Sequence, residues 1–157
     1  MSYDGAADSL VYAVPPHWHK FHDEHMEVLR GSVEFTANGQ TTVVSAGDPK
    51  LVIPRLHVHS IRFLKGKSAV FTEKTDPPGD FKERFFENVM DDGTVTLSAV
   101  LRAGYDGDAY MHFPYSFRLL DEAITLVGGA IAKVLFPQKN RGMLAESMAK
   151  AKYAASG

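Results

Sequence analysis

The sequence predicts a mainly β fold, a sandwich or barrel of short strands, followed by a helical extension. Apolar runs recur roughly every 8–12 residues between residues 10 and 75, the spacing expected of such folds. Asn38-Gly39 is the strongest hairpin signal, because both central residues of a type I′ turn need a positive φ. Asp76-Pro77-Pro78-Gly79 ends the β pattern. We therefore expect a β core over 1–78 and a helical or loop extension over 79–157, packed on the core or at a dimer interface.

Each predicted strand is an apolar or alternating run that ends at a turn residue. Pro15-Pro16 ends the first run, Gly31 separates the second from the third, and Pro54 ends the short fifth one. The sixth run alternates strictly, so every second residue from His57 to Phe63 shares a face. The predicted strands are Leu10–Val14, Glu27–Leu29, Ser32–Ala37, Thr41–Val44, Leu51–Ile53, His57–Phe63 and Ala69–Thr75.

Beyond residue 79 the pattern becomes helical. Asp80–Asn88 predicts a short helix, whereas Val95–Ala103 fits a helix or a strand. Ser116 is a candidate cap for a helix that ends at Phe136, before Pro137, and Met143–Tyr153 predicts a last amphipathic helix. The segment 119–136 is apolar nearly all round. It fits docking on the core, a dimer contact or a position near a membrane, and we favour the first two.

Length and composition exclude several classes of protein. The 157 residues amount to one domain, and 45% of them are apolar, which is enough to form a core. A net charge of −2 argues against a nucleic-acid partner. The absence of cysteine excludes a disulfide scaffold, a cysteine-ligated zinc and a thiolate nucleophile. The first residues do not resemble a secretory signal, and no apolar run is long enough to span a bilayer, so we expect a cytoplasmic protein.

Histidines are concentrated in the β half, which holds six of the seven between His17 and His59. His17 and His19 are two residues apart and point to one side of a strand. Glu24 shares a face with Met26 and Val28, and His59 shares one with Ile61 and Phe63. Three imidazoles and a carboxylate are costly to bury unless a divalent metal binds them. Nitrogen and oxygen donors suit Fe(II), Mn(II), Ni(II) or Zn(II).

The spacing His17-x-His19-x4-Glu24-x6-Gly31 resembles the first motif of the cupin superfamily at every ligand position. The stretch from Gly47 through Pro54 to His59 resembles the second motif more loosely. This resemblance covers roughly residues 10–75 and implies an antiparallel jelly-roll β-barrel, also called a double-stranded β-helix. The Pro15–Gly31 stretch and the helical tail look like small single-domain cupins (monocupins) of fungal natural-product pathways, which implies a role in secondary metabolism.

Three positions and one gap length depart from the cupin pattern. Val11 and Leu56 stand where the family has glycine, Phe63 stands where it has asparagine, and the Gly47–Pro54 gap is one residue longer. These departures affect turn geometry more than metal binding.

The predicted metal ligands are His17, His19, Glu24 and His59. We expect three residues to take part in catalysis: Glu24 as a base, His57 as a cavity wall residue, and Arg55 as a clamp for a substrate carboxylate or phenolate. His57 fits a position at the rim equally well.

Other polar residues have weaker claims to the site. A register shift of one residue would point His25 and Glu27 inward instead of Glu24. We interpret His22, His25 and His112 as surface residues and expect Trp18 to point away from the cavity.

The function expected from this site is that of a metal-dependent enzyme acting on a small organic substrate, aromatic or polyketide-like. A dioxygenase is the first hypothesis, because two open positions on an octahedral ion suit substrate and O2. An isomerase, cyclase or decarboxylase without O2 is the alternative, and a non-catalytic small-molecule-binding cupin is the alternative of another class. We expect the protein to be a homodimer.

Overall fold

A computed structural model describes residues 1–6, 13–89 and 95–137. Part of the predicted strand Leu10–Val14 and all of the predicted helix Met143–Tyr153 lie outside these residues. The described elements, in chain order, are β1 (Ser2–Tyr3), β2 (Ala13–Trp18), β3 (Asp23–Arg30), β4 (Ser32–Ala37), β5 (Gln40–Ser45), β6 (Leu51–Ile53), β7 (His59–Phe63), β8 (Ala69–Asp76), α1 (Phe81–Val89), α2 (Leu97–Gly107), β9 (Tyr110–Met111) and α3 (Arg118–Leu135).

The strands form two antiparallel sheets, as the sequence predicts. One sheet has the order β1-β8-β3-β6 and the other has the order β5-β4-β7-β2-β9. The two sheets share one apolar core, in which Phe71 of the first sheet contacts Phe35 and Phe63 of the second, with ring centroids 5.8 and 5.7 Å apart. Burial of such side chains stabilises the fold by about 1.5–3 kcal/mol each.

Two glycines occupy turns in which the backbone of another residue would be strained. Asn38 and Gly39 both have positive φ (48° and 80°), which confirms the predicted β4–β5 hairpin. Gly31 has a φ of 71°, and a Cβ there would lie 2.1 Å from the carbonyl oxygen of Ser68. The glycine is therefore required where β3 turns into β4.

The chain divides into two compact units. The first contains both sheets and comprises Met1–Gly79 with Ala109–Asp121, so the chain returns to add β9 beside β2. The second contains α1, α2 and most of α3. Thr96 caps α2 by accepting a hydrogen bond from the backbone N–H of Ala99, which resolves the ambiguous segment as a helix. In the described part of the chain, no helix has the length and apolarity needed to cross a bilayer.

The long helix differs slightly from its prediction at both ends, and it ends at Leu135 and not at Phe136. It begins at Arg118, two residues after the expected cap. The Ser116 hydroxyl instead lies within hydrogen-bond distance of the carbonyl oxygen of Phe113 and of the carboxylate of Asp121, and its one proton is donated to one of these acceptors at a time. Ser116 therefore organises the loop before the helix.

Candidate metal centre

The four predicted ligands come from three strands and meet between the two sheets. His17 of β2 and His59 of β7 are directly opposite each other in the second sheet. Glu24 lies at the start of β3 in the first sheet, and His19 follows β2. One ligand atom from each of the four residues lies within 4.8 Å of all the others. Strands that are distant in sequence therefore bring four donors to one place.

The Glu24 carboxylate bridges two of the imidazoles. Its Oε1 lies 2.8 Å from Nε2 of His19, and its Oε2 lies 2.8 Å from Nε2 of His59. Ligands at about 2.0–2.2 Å from one octahedral ion are about 3 Å apart when adjacent. These distances are therefore of the size expected between neighbouring ligands of one ion.

Backbone carbonyls fix the orientation of two of the imidazoles. Nδ1 of His17 donates to the carbonyl oxygen of Pro15, and Nδ1 of His59 donates to that of His57, both at 2.9 Å. A carbonyl only accepts, so each Nδ1 carries the proton and the neutral ring has its lone pair on Nε2. In neutral His59 that lone pair faces the Glu24 carboxylate, an arrangement that a cation between the two would stabilise. The residues therefore fit a divalent metal.

The burial of all four residues also favours a bound cation. Glu24 is 0% exposed, His19 and His59 are 2% exposed, and His17 is 8% exposed. A carboxylate this deep in the protein is costly without a compensating positive charge. His17 is the most exposed of the four.

The register of β3 agrees with the prediction based on Met26 and Val28. Glu24, Met26 and Val28 are buried, and His25 and Glu27 between them are only half-buried. Glu27 forms a salt bridge with Lys50, with the two charged atoms 2.9 Å apart. The rival register with an inward Glu27 is therefore not the one observed.

His22 corrects the sequence interpretation. It was expected to be solvated, but it is fully buried, because the β2–β3 connection folds inward. Its ring stacks on that of His19, with centroids 4.3 Å apart, and its Nε2 is 4.0 Å from Oε1 of Glu24. Loop residues carry no alternation signal, so the sequence pattern could not place this ring beside the cluster.

The structure places His57 and Arg55 in the segment before β7. Arg55 binds Asp23, with its backbone N–H and its Nε 2.8 and 2.9 Å from Oδ1. The backbone N–H and then the guanidinium of Arg55 hold the pKa of Asp23 below its usual range. Half-buried His57 donates from Nδ1 to the carbonyl oxygen of Arg55, 3.2 Å away. Neither residue belongs to the group of four clustered ligand atoms, and their catalytic roles stay predictions.

A second polar cluster lies near the first and was not predicted. His112, expected at the surface, is half-buried and its Nδ1 lies 2.7 Å from Oδ2 of Asp121, which is fully buried. The indole N–H of Trp18 donates to the same oxygen at 3.4 Å. Trp18 also stacks on Tyr110, with centroids 4.4 Å apart, so it points away from its neighbours His17 and His19, as predicted.

Comparisons with known proteins find partial similarity to solved structures. No protein-family model and no curated protein matches the sequence. Solved structures similar to it include KdgF from Halomonas sp. (29% identity, TM-score 0.35, 40% of this chain and 56% of that one) and a cupin-like protein from Thermotoga maritima (20%, 0.36, 40% and 50%).

The similarity to these structures covers only part of this chain and part of each of them. The polyketide cyclase RemF from Streptomyces resistomycificus is 30% identical, with a TM-score of 0.34, over 38% of this chain and 42% of that one. The chain thus matches about half the length of these three proteins. Activity and substrate must therefore be argued from the residues of the site.

Proposed function

We propose that this chain is a metal-dependent enzyme that acts on a small organic molecule. His17, His19, Glu24 and His59 would hold the ion. The observation that carries the proposal is the Glu24 carboxylate, buried 2.8 Å from Nε2 of both His19 and His59, with the proton of His59 held on Nδ1 by a carbonyl. Burying one carboxylate among three imidazoles is costly, and a purely structural role would not require it.

A dioxygenase is the reaction we propose first. A six-coordinate divalent ion held by these four residues would have two further positions, which would allow it to bind substrate and O2. Three imidazoles and a carboxylate suit Fe(II), Mn(II), Ni(II) or Zn(II), and Fe(II) is the one among them that fits O2 chemistry best. A phenol or enol would match the aromatic or polyketide-like substrate class, because its acidic oxygen can lose a proton on binding.

The residues around the cluster would handle that proton and the orientation of the substrate. Glu24 is the carboxylate nearest the ligand nitrogens and is our candidate base. We propose that His57 lines the access side and that Arg55 orients an anionic substrate group. Because Nε of Arg55 is already bound to Asp23, Arg55 would have to use its terminal nitrogens.

Metal analysis tests the proposed site. Protein purified without chelators should contain close to one divalent transition metal per chain. His59→Ala should lower the occupancy at least tenfold, because it removes one of two nitrogens at Glu24. His25→Ala is the matched control, because that side chain is 38% exposed on the same strand as Glu24. An equal loss in both variants, or folded wild-type protein without metal, would contradict the proposal.

Oxygen consumption separates the candidate reactions. Iron-loaded protein, incubated with a panel of phenolic and polyketide-like compounds, should consume O2 in proportion to product formed. Turnover without O2 uptake would instead identify an isomerase, cyclase or decarboxylase. Binding without turnover under any metal would identify a non-catalytic cupin, and His59→Ala is the negative control in each assay.

A further inference from the structure

Helix α3 presents its large apolar side chains to solvent and packs its small and polar residues inward. Asp121, Thr125, Gly129 and Ala132 are the buried positions. The exposed apolar residues of the helix are Leu119, Leu120, Ile124, Leu126, Val127, Ile131, Val134 and Leu135. A helix that packs an apolar face on its own core shows the reverse arrangement. The outward face of α3 is therefore suited to a partner.

The size of this face is at the upper end for a surface patch. Six apolar side chains share one side of the helix, which turns by about 100° per residue: Leu120, Ile124, Val127, Ile131, Val134 and Leu135. They are between 37% and 78% exposed, which amounts to on the order of 600 Å² of surface. The largest apolar patch on a typical monomer is about 300–600 Å². Two copies of this face would together bury about 1,200 Å², the lower limit for specific, stable protein interfaces.

The spacing along the exposed face fits another helix. Leu120, Ile124, Val127, Ile131 and Val134 follow one another at intervals of 4, 3, 4 and 3 residues. This is the heptad spacing with which two helices interlock their side chains. A helix that lies in a lipid surface has the same period, but it is rich in Lys and Arg along its polar face. Helix α3 carries only Arg118 and Lys133, and the ammonium of Lys133 is bound to Asp106 at 2.6 Å.

We infer that the occupant is a second copy of this chain, with the two α3 helices antiparallel across a two-fold axis near Val127. That axis places Leu120 opposite Val134 and Ile124 opposite Ile131, because these residues are spaced nearly symmetrically about Val127. A two-fold interface must be complementary to itself. An uncharged aliphatic seam meets that condition without opposing like charges.

Cysteine crosslinking of the full chain tests the contact directly, because the sequence has no cysteine. Val127→Cys should form a disulfide-linked dimer under mild oxidation, since position 127 meets its own copy. Leu97→Cys, on α2 and 69% exposed, is the matched control and should remain a monomer on a non-reducing gel. Equal crosslinking of the two variants would overturn the inference.

Sedimentation analysis tests the energetics. The wild-type chain should be a dimer at micromolar concentration, and Val127→Glu should raise the dissociation constant at least 100-fold, because it buries two like charges together. Val127 is 59% exposed in the single chain, so the circular dichroism spectrum should not change. A wild-type monomer would overturn the inference, as would an unchanged dimer in Val127→Glu. Binding of a wild-type monomer to phosphatidylcholine vesicles would assign the face to lipid instead.

Discussion

Leu56 occupies a backbone conformation that suits glycine. Its φ is 67°, and it stands two residues after Pro54, where the cupin motif has glycine. The turn is held by a 2.7 Å hydrogen bond from the Leu56 N–H to the carbonyl oxygen of His19. The departure from the motif is therefore accommodated without losing the turn, at a cost in strain.

Leu56→Gly should raise the free energy of unfolding by about 0.5–1 kcal/mol. The left-handed conformation costs an ordinary residue about 1–2 kcal/mol, and the extra freedom of glycine in the unfolded chain cancels part of that gain. Leu29→Gly is the control, because Leu29 is a similarly exposed leucine within β3. Urea denaturation should show opposite signs for the two variants. A loss of stability in both would mean that Leu56 is not strained.

Asp121 is a buried carboxylate whose charge is stabilised by its neighbours. Burial acts to raise its pKa, but hydrogen bonds from Ser116, His112 and the Phe113 N–H hold the pKa below the usual 3.8. A lowered pKa in the folded state contributes stability above the pKa of the unfolded state. That contribution is lost as the pH falls below about 4 and through the folded-state pKa.

Asp121→Asn should therefore lower the free energy of unfolding at pH 7 by about 1–3 kcal/mol, the range for a buried hydrogen-bonded charge. It should also flatten the loss of stability below pH 4. Denaturation curves at pH 7 and pH 3 measure both effects. Asp80→Asn, which affects an exposed i,i+4 pair with Arg84, should change little at either pH. Parallel behaviour of the two variants would contradict this account.

At the residue scale, sequence reasoning succeeded where a side chain lies on an alternating strand. Glu24 and His59 each share a strand face with apolar residues two and four positions later, and that face is buried. The alternation that reveals the shared face is visible in the sequence. His22 and Asp121 could not be found in this way. One lies in a loop, and the other lies in a helix whose buried face is polar.

At the scale of elements, the contact between α2 and α3 depends on two adjacent glycines in different ways. A Cβ on Gly129 would lie 2.6 Å from Cβ of Tyr105 and 2.8 Å from the carbonyl oxygen of Leu101. A Cβ on Gly128 would meet only the end of the Leu101 side chain, at 3.1 Å. The atoms next to Gly129 cannot easily move, because they belong to the backbone or lie close to it. The atoms next to Gly128 are at the end of a flexible side chain.

Gly129→Ala should destabilise the protein by about 1–3 kcal/mol, because the inserted methyl forces the helices apart. Gly128→Ala should be neutral or stabilising by up to about 1 kcal/mol, because alanine favours the helix and Leu101 can adjust. Thermal unfolding of the two variants side by side measures the difference. Equal destabilisation would show that the two glycines are equally packed.

Elements with a strong period were predictable, and very short ones were not. The β4–β5 hairpin and α3 follow from Asn38-Gly39 and from a long apolar segment. Strand β9 has only two residues, too few for an alternation, and it forms because β2 offers an edge. Val95–Ala103 fits a helix or a strand by its sequence, and the Thr96 cap, which accepts a hydrogen bond from the Ala99 N–H, favours the helix that is observed.

At the scale of the whole molecule, the proposed metal should link binding to folding. An ion that binds only the folded chain stabilises it by about 4 kcal/mol at a thousand times its dissociation constant. Adding a chelator should therefore lower the midpoint of thermal unfolding of the wild-type protein. His59→Ala should show a smaller response, since it already lacks the ion. An identical response in both proteins would show that the chelator acts elsewhere.

The sheet orders also determine where this protein is vulnerable to aggregation. Among the described residues, three of the four edge strands, β1, β6 and β9, have only two or three residues, so they offer few free backbone groups to another chain. β5 is the exception, with six residues and an exposed Val43 among threonines. Under conditions that loosen the fold, we therefore expect fibril-like pairing to begin at β5, which makes Val43→Lys the natural change to suppress it.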